Sequence, residues 1–404
     1  MTDQAVTTER RQEVRLVIAG LSAIGVGFGF ARYGYGLYLP ELRREFGLST
    51  AQLGLISSLS YVGYLAAVVL VGTLISRLGP RLMILSAGAS AAGGMTLVAV
   101  TDSVAVMAVG IVLAGTSAGW VWAPYSEATP SMLSPRRAER ALAIIASGTA
   151  YGTAVAGGLA LATPSDDWRL AWAAFTVIAV AVTVVNAVVL PKGATGTGGP
   201  SMSGATFARL RRRTAIPLCI AAISYGAVGS VYWTFAVDLI GSGSAPASGA
   251  AFWTLLGIAG TAGAAAPVLF RSLGLRGSHL ALFGLLAAGI AMLAVAPGQG
   301  AVVVVSAIVF GPTFMATASL LAVWSFHTFE RDHAAGFSMV VFFLGLGGIA
   351  GPTVVGAAAG LVGLRDAFAA TAVVALVTIA CRPGRSVGAY DPGMTRGSEV
   401  ASVD

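Results

Sequence analysis

The sequence predicts an all-α membrane protein in which twelve transmembrane helices form two similar six-helix bundles. Three observations support this prediction: the composition, the number of long apolar runs, and a repeat between the two halves. The chain is 56% hydrophobic and 10% charged, whereas a soluble domain carries about 25% charged residues. A helix that crosses a bilayer needs about 20 mostly apolar residues. Runs of this kind occupy 16–39, 51–75, 82–101, 104–128, 140–161, 169–190, 214–239, 248–270, 279–296, 301–326, 335–361 and 366–381.

The positive charges predict the orientation of these spans. With twelve spans both termini lie on one side, and that side holds 19 of the 24 lysines and arginines, against four on the other side and one inside a span. Loops rich in Lys and Arg stay in the cytoplasm. We therefore expect a multi-pass protein of the plasma (inner) membrane, without a cleavable signal peptide and with both termini cytoplasmic. Because the cations are dispersed beside the spans, the net charge of +7 does not indicate nucleic-acid binding.

A repeat divides the chain into two halves. We expect an N-terminal bundle (1–190), a cytoplasmic linker rich in Gly, Ser and Thr (191–213), a C-terminal bundle (214–381) and a cytoplasmic tail (382–404). Laying one half on the other aligns "GTLISRLGPR" (72–81) with "PVLFRSLGLR" (267–276), so that Gly79 coincides with Gly274. Two six-span repeats of the same sense are typical of transporters that alternate access to a site near the membrane midplane.

The segment 72–81 resembles a signature of a known family. In the major facilitator superfamily (MFS), the loop between spans two and three has the pattern Gly-x-x-x-Asp-Arg-x-Gly-Arg-Arg, and the resemblance extends over essentially the whole chain. It implies the twelve-helix MFS fold of a bacterial secondary transporter, with a cytoplasmic gate that latches the two bundles. Ser76 stands in place of the acid, and the alternative is that the arginines here only follow the positive-inside rule. The residues assigned to the gate are Gly72, Arg77, Gly79, Arg81 and Arg276.

Two other patterns of the family are incomplete in this sequence. Ile111 stands where proton-coupled members carry an arginine in span four. Thr153 stands where antiporter-type members carry a proline in span five, although span eleven has Pro352. The resemblance therefore leaves the coupling residue and the direction of transport open.

Arg32 is the cation that lies inside a span, and it defines the candidate substrate site. An arginine at the centre of a membrane helix costs roughly 2.5 to 3.5 kcal/mol and usually faces a cavity or a partner. Its guanidinium suits a carboxylate or another oxyanion; the alternative is a structural pair with an acid or with free carbonyl groups. The absence of a second deep cation favours a singly charged anion.

Aromatic residues complete this candidate site. In folds of this kind, spans one, four, seven and ten line the central cavity. Aromatic side chains there suit an organic solute, although ordinary packing or anchoring at the membrane interface is the alternative for each. Tyr33 and Tyr38 offer further hydroxyl groups. The residues assigned to substrate binding are Arg32, Phe28, Tyr35, Tyr61, Tyr64, Tyr225, Tyr232, Trp233, Phe314 and Trp324.

Glu127 is the candidate for proton coupling. It lies nine residues before Arg136, hence about 13 Å inside the membrane if span four is unbroken, although Pro130 and Pro135 leave that open. A partly buried acid can bind and release a proton as its exposure changes; the alternative is a salt bridge to a cytoplasmic arginine. Asp238, at the outer end of span seven, is expected to be solvated.

These observations favour proton-linked transport of a small organic anion. No nucleotide-binding loop, metal-ligand spacing or nucleophile-base-acid arrangement occurs, so we expect neither an enzyme nor a cofactor. The expected partners are a small-molecule substrate, the lipid bilayer and a proton, with no nucleic acid, and the chain is expected to act as a monomer. The alternatives are proton-coupled efflux of lipophilic compounds and, in another class, a sensor that binds solute without moving it.

Overall fold

The fold is a bundle of long helices. The computed structural model describes residues 3–164, 167–193, 215–241, 247–330 and 332–384, and all regular elements within these ranges are helical. Most of the predicted linker (191–213) and tail (382–404) lies outside the described residues. Within these ranges, nine helical stretches are long and apolar enough to cross a membrane. Two of them, Thr50–Val100 and Gly249–Val295, contain 51 and 47 residues, about twice the length that one crossing needs.

A glycine divides each of these two stretches. Gly79 has φ 78° and ψ 166°, and Gly274 has φ 64° and ψ 172°. Glycine adopts positive φ without the steric cost that a Cβ imposes. Because each of these two stretches contains two spans, the nine stretches of the described residues contain eleven spans, and the shorter helix Leu364–Thr378 is the twelfth. The twelve predicted spans are thus confirmed, and the glycines that the repeat aligns have the same backbone conformation.

The spans are numbered along the chain. Span one comprises Asp3–Ile24, Gly25–Arg32 and Gly34–Leu37, and the helix Leu39–Phe46 follows it. The other spans of the first half are 50–78, 80–100, Val104–Met132, Pro135–Ala146 with Gly148–Ala162, and Trp168–Val189. Those of the second half are Ile216–Gly241, Ala247–Gly260 with Thr261–Ala265 and 266–273, 275–295, Gly300–Thr328, His333–Val362 and Leu364–Thr378.

Span one is not the single α-helix that the run 16–39 predicts. Gly25–Arg32 is a π-helix, and the Tyr33 amide donates to the Phe28 carbonyl, five residues earlier, at 2.9 Å. Within this segment Gly29 lies against the backbone of Gly152 in span five, where a Cβ would not fit. π-helical turns occur frequently at functional sites. Here the turn ends at Arg32, and it therefore decides where that side chain points.

We call the side of the membrane that holds the termini the terminal side, and the opposite side the far side. The two halves meet toward the far side. The Ser57 hydroxyl of span two lies 2.7 Å from the Thr234 hydroxyl of span seven. Ser58 and Thr353 of span eleven are joined by a hydrogen bond of 2.7 Å between their hydroxyl groups. Span seven has 72% of its most apolar window buried, against 22% for span six. Span seven is therefore central, whereas span six presents much of its surface outward.

Candidate functional site

Three aromatic rings surround the Arg32 guanidinium. Its Cζ lies 4.0 Å from the ring centroid of Tyr61, 4.0 Å from that of Tyr64 and 5.7 Å from that of Phe28. The arginine is 7% exposed. A desolvated cation over an aromatic face is stabilised by roughly 2 kcal/mol or more. The rings therefore offset much of the cost of holding the charge here, without contributing a negative charge.

Arg32 forms no ion pair with any acid of the described residues. Its Nε and Nη1 atoms are buried and make no hydrogen bond within the described part of the chain. A buried polar group without a partner is expensive, and a buried charge more so. An anion bound here would accept hydrogen bonds from these two atoms and would also neutralise the charge of the guanidinium.

The second half of the chain supplies an aromatic wall beside this cage. Trp233 of span seven stacks on Tyr33 of span one, with ring centroids 4.2 Å apart and an angle of 6° between the planes. Phe314 of span ten meets the edge of Trp233 at 5.5 Å. Tyr225 stacks on Phe314 at 4.7 Å and donates its hydroxyl to the Phe314 carbonyl at 3.1 Å. Side chains of both halves thus meet at one site.

A small cavity lies between the cage and the wall. It leaves about 10 Å³ for the centre of a water molecule, which is room for roughly one water. An organic solute therefore does not fit until the halves separate. The cavity is lined by Arg32, Tyr33, Tyr35, Gly36, Ser57, Ser60, Tyr61, Trp233 and Thr234.

Most of the residues assigned to substrate binding converge here. Phe28, Arg32, Tyr61 and Tyr64 form the cage, and Tyr35 lines the cavity while donating its hydroxyl to the Leu53 carbonyl at 2.9 Å. From the second half, the structure brings Tyr225, Trp233 and Phe314 to the same place.

Two assigned residues lie elsewhere, inside the second half. Tyr232 stacks on Phe310 with centroids 3.5 Å apart, and its hydroxyl lies 2.8 Å from that of Ser306. Trp324 packs edge-on against His279 at 5.5 Å. Neither contributes to the lining of the cavity. Tyr232 points away because it is next to Trp233, and consecutive positions of a helix face different directions. Trp324 lies ten residues, or roughly 15 Å, beyond Phe314 along span ten.

Three hydroxyl residues of the lining, and the contact of the Tyr33 ring with Trp233, were not predicted from the sequence. Ser57, Ser60 and Thr234 all face the cavity. A signal existed for the serines, since Ser57, Tyr61 and Tyr64 follow one another at spacings of four and three and so share one helix face. Ser60, four residues before Tyr64, lies on the same face. No local signal pairs Tyr33 with Trp233, because 200 residues separate them.

An ion pair closes the far side of this site. Arg43 donates from Nε to Asp238 Oδ1 at 3.1 Å and from Nη2 to Oδ2 at 2.6 Å, and from Nη1 to the Thr50 hydroxyl at 3.1 Å. The Asp238 side chain is 10% exposed, so the expectation that it is solvated is wrong. A two-point contact of this kind fixes geometry as well as charge. It ties the helix after span one to span seven.

Glu127 lies in span four on the terminal side of the cage. The helix runs unbroken through Pro124 and Pro130 to Met132, and Glu127 is 7% exposed. Gly119 of the same helix packs on the backbone of Tyr64, so Glu127 is roughly 12 Å further along the axis. The carboxyl group is therefore buried but separate from the guanidinium.

The gate arginines are at least partly exposed in this conformation, whereas Gly79 is buried. Arg77 is exposed, Arg81 and Arg276 are partly exposed, and Gly72 lies one turn before Ser76. Within the described residues none of these three arginines forms an ion pair. Arg137, at the start of span five, bonds Glu13 of span one at 2.6 Å, which is a contact inside the first half. The far side is thus held by an ion pair between the halves, whereas the gate segment is not.

Solved transporters share this fold at low sequence identity. A bacterial homolog of the human lysosomal transporter Spinster, in an inward-facing and unoccupied conformation, has 15% identity and a TM-score of 0.72 over 92% of this chain and 96% of that chain. The nucleoside transporter NupG has 14% identity and a TM-score of 0.73 over 92% of this chain and 98% of that chain. Identities this low show a common fold and carry no information about the substrate. No curated protein sequence matches the chain.

A family model identifies the chain more closely. The model described as "Uncharacterised MFS-type transporter YbfB" matches residues 24–382, which include all twelve spans except the start of the first. Members of this superfamily are secondary transporters and not enzymes. The chain therefore belongs to the major facilitator superfamily, in the family of uncharacterised YbfB-type transporters, and is a multi-pass membrane protein.

Proposed function

We propose that this chain transports a small organic anion, coupled to protons, by alternating access. The observation that carries the proposal is the Arg32 guanidinium, buried between two tyrosine rings and unpaired with any acid of the described residues. We further propose that the terminal side is cytoplasmic, in the plasma (inner) membrane, because most lysines and arginines flank the spans on that side. The transporting unit is a monomer, since one chain contributes both walls of the site.

The contacts between the halves support alternating access. Arg32, Tyr61 and Tyr64 belong to the first half, whereas Trp233 and Phe314 belong to the second. The Arg43–Asp238 pair holds the halves together on the far side, and the gate arginines are unpaired in the described residues on the terminal side. Rocking of the halves would exchange these two arrangements and expose the same guanidinium to each side in turn.

A thermal-shift screen of the purified protein tests the proposal. Any ligand that binds the folded state raises its melting temperature. We expect carboxylates to raise it and their uncharged amides, tested at the same concentration, to have no effect. Stabilisation by neutral lipophilic compounds, with no carboxylate or other oxyanion active, would instead favour the efflux alternative, which the aromatic wall around Trp233 and Phe314 supports.

Transport itself separates this proposal from a sensor. In proteoliposomes a transporter carries a labelled ligand across the membrane, whereas a sensor binds it without flux. The ligand identified by thermal shift is the compound to use. Saturable uptake that unlabelled ligand inhibits is the expected result, and binding without uptake in either orientation of the pH gradient would favour the sensor.

Glu127→Gln is expected to abolish uphill accumulation driven by a pH gradient and to preserve ligand binding. The amide cannot take up or release a proton, and Glu127 lies roughly 12 Å along span four from the level of the cage. Exchange of labelled for unlabelled ligand needs no net proton movement, so exchange should persist. The measurement is uptake in proteoliposomes, with and without an imposed pH gradient.

Glu139→Gln provides the matched control for this experiment. Glu139 is exposed on the terminal side, a few residues beyond span four, so its neutralisation should leave accumulation intact. If the Glu127→Gln protein still concentrates ligand under the gradient, Glu127 is not the coupling acid. If it loses binding as well, the carboxyl group is needed for the structure rather than for coupling.

A further inference from the structure

We propose that the solute is a planar aromatic monocarboxylate, whose carboxylate binds Arg32 and whose ring enters between Tyr33 and Trp233. This inference rests on the proposed function and specifies its substrate class. It depends on three observations: a ring stack that joins the two halves, unpaired buried donors at its edge, and the absence of an acid from the lining of the cavity.

The Tyr33–Trp233 stack spans the interface that must open during transport. The two rings are nearly parallel, at 6°, with centroids 4.2 Å apart, and both line the cavity beside Arg32. When spans one and seven separate, each ring loses its partner and exposes an apolar face. A third ring between them would restore both contacts at a centroid separation of roughly 8 Å, about twice the 4.2 Å of the present pair.

The polar atoms around this stack select the charge of the ligand. Arg32 Nε, Arg32 Nη1 and Trp233 Nε1 are buried without hydrogen-bond partners in the described structure, and all three are donors. The ligand must therefore bring acceptors, and a carboxylate brings two oxygens that also neutralise the guanidinium. Arg32 is the one cation among the described residues of the lining, which matches one negative charge.

The lining also discriminates against zwitterions. Among the described residues, no aspartate or glutamate lines the cavity, and Asp238, one turn beyond Thr234, is engaged by Arg43. A ligand ammonium group would therefore be buried beside a guanidinium without a counter-charge, which is strongly unfavourable. Aromatic amino acids should consequently bind more weakly than the corresponding simple acids.

A matched panel of ligands tests the inference. The panel comprises benzoate and nicotinate as planar acids, cyclohexanecarboxylate as a saturated acid, benzamide as the neutral ring, phthalate as the dianion and phenylalanine as the zwitterion. We expect the wild-type protein to bind benzoate about tenfold more tightly than cyclohexanecarboxylate, because the planar ring gains two stacking contacts. Benzamide, phthalate and phenylalanine should bind more weakly than benzoate. Dissociation constants from titration calorimetry provide the measurement.

Two variants of Trp233 show whether the stack causes the preference. In Trp233→Leu the ratio of benzoate to cyclohexanecarboxylate affinity should fall to about one, since the stacking face is lost. In Trp233→Phe, which keeps an aromatic face, most of the ratio should remain. Thermal unfolding of both unliganded variants verifies that they are folded. If the leucine variant is unstable, the affinity ratio is measured in Trp233→Phe alone.

The outcomes distinguish this inference from the proposed function. If both acids bind equally well to the wild-type protein, or if Trp233→Leu keeps the preference, the aromatic class is wrong and anion transport stands. If benzamide binds as well as benzoate, both the substrate class and the anion proposal fail. If neither benzoate nor nicotinate binds while saturated acids do, the stack is a structural contact between the halves. If no member of the panel binds, the aromatic class is likewise overturned.

Discussion

Arg32→Gln is expected to weaken the binding of every anionic ligand by about 100-fold, because hydrogen bonds to a charged group contribute roughly 1.5 to 3 kcal/mol and the opposite charge is lost as well. Flux of the same ligands in proteoliposomes should fall below detection. The substitution keeps a polar side chain of moderate length beside Tyr61 and Tyr64, so the cage itself is retained. Calorimetry and uptake measure the two effects.

The stability of the empty protein shows whether Arg32 binds ligand or holds the fold together. The guanidinium is buried and unpaired with any described acid, with Nε and Nη1 making no hydrogen bond. Its removal should therefore not lower the melting temperature of the unliganded protein, whereas loss of a structural ion pair would. Arg32→Lys keeps the charge but not the planar group that stacks between two rings, and we expect intermediate affinity. Unchanged anion binding and flux in Arg32→Gln would refute the anion site.

Gly36→Ala is expected to prevent closure of the far side. A Cβ on Gly36 would overlap the carbonyl oxygen of Trp233 and lie 2.9 Å from its carbonyl carbon. Both are backbone atoms of span seven, so no side chain can move aside to relieve the overlap. The halves must separate at this point, and conformations open to the far side should become dominant. Transport should slow at least tenfold, because each cycle needs the closed far side.

Accessibility of a cysteine at position 57 measures this effect. Ser57 lines the cavity and is 4% exposed, so in a background with Cys219 and Cys381 replaced, Ser57→Cys should resist a membrane-impermeant maleimide added from the far side. Adding Gly36→Ala should make it reactive. Gly158→Ala is the matched control, because a Cβ there has no atom within 4 Å. Equal labelling in the presence and absence of Gly36→Ala would show that the far side closes elsewhere.

The sequence alone predicted those parts of this protein that depend on the membrane and on local chain chemistry. Apolar runs of the required length predicted twelve spans because the bilayer demands internally hydrogen-bonded helices of that length. The repeat in the sequence aligned Gly79 with Gly274, and the structure gives both residues the positive φ that glycine adopts readily. Arg32 was found because a lone charge inside an apolar run is costly and therefore conspicuous.

The tertiary structure decided the composition of the site. Within the π-helix that ends at Arg32, Gly29 lies against the backbone of Gly152 in span five, a contact that no pattern within span one encodes. The same limit applies to the Tyr33–Trp233 stack and the Arg43–Asp238 pair. Composition and periodicity determine what each helix is and which face is apolar. The partners that meet across 200 residues are determined by how twelve helices pack, because only packing brings distant side chains within a few ångströms.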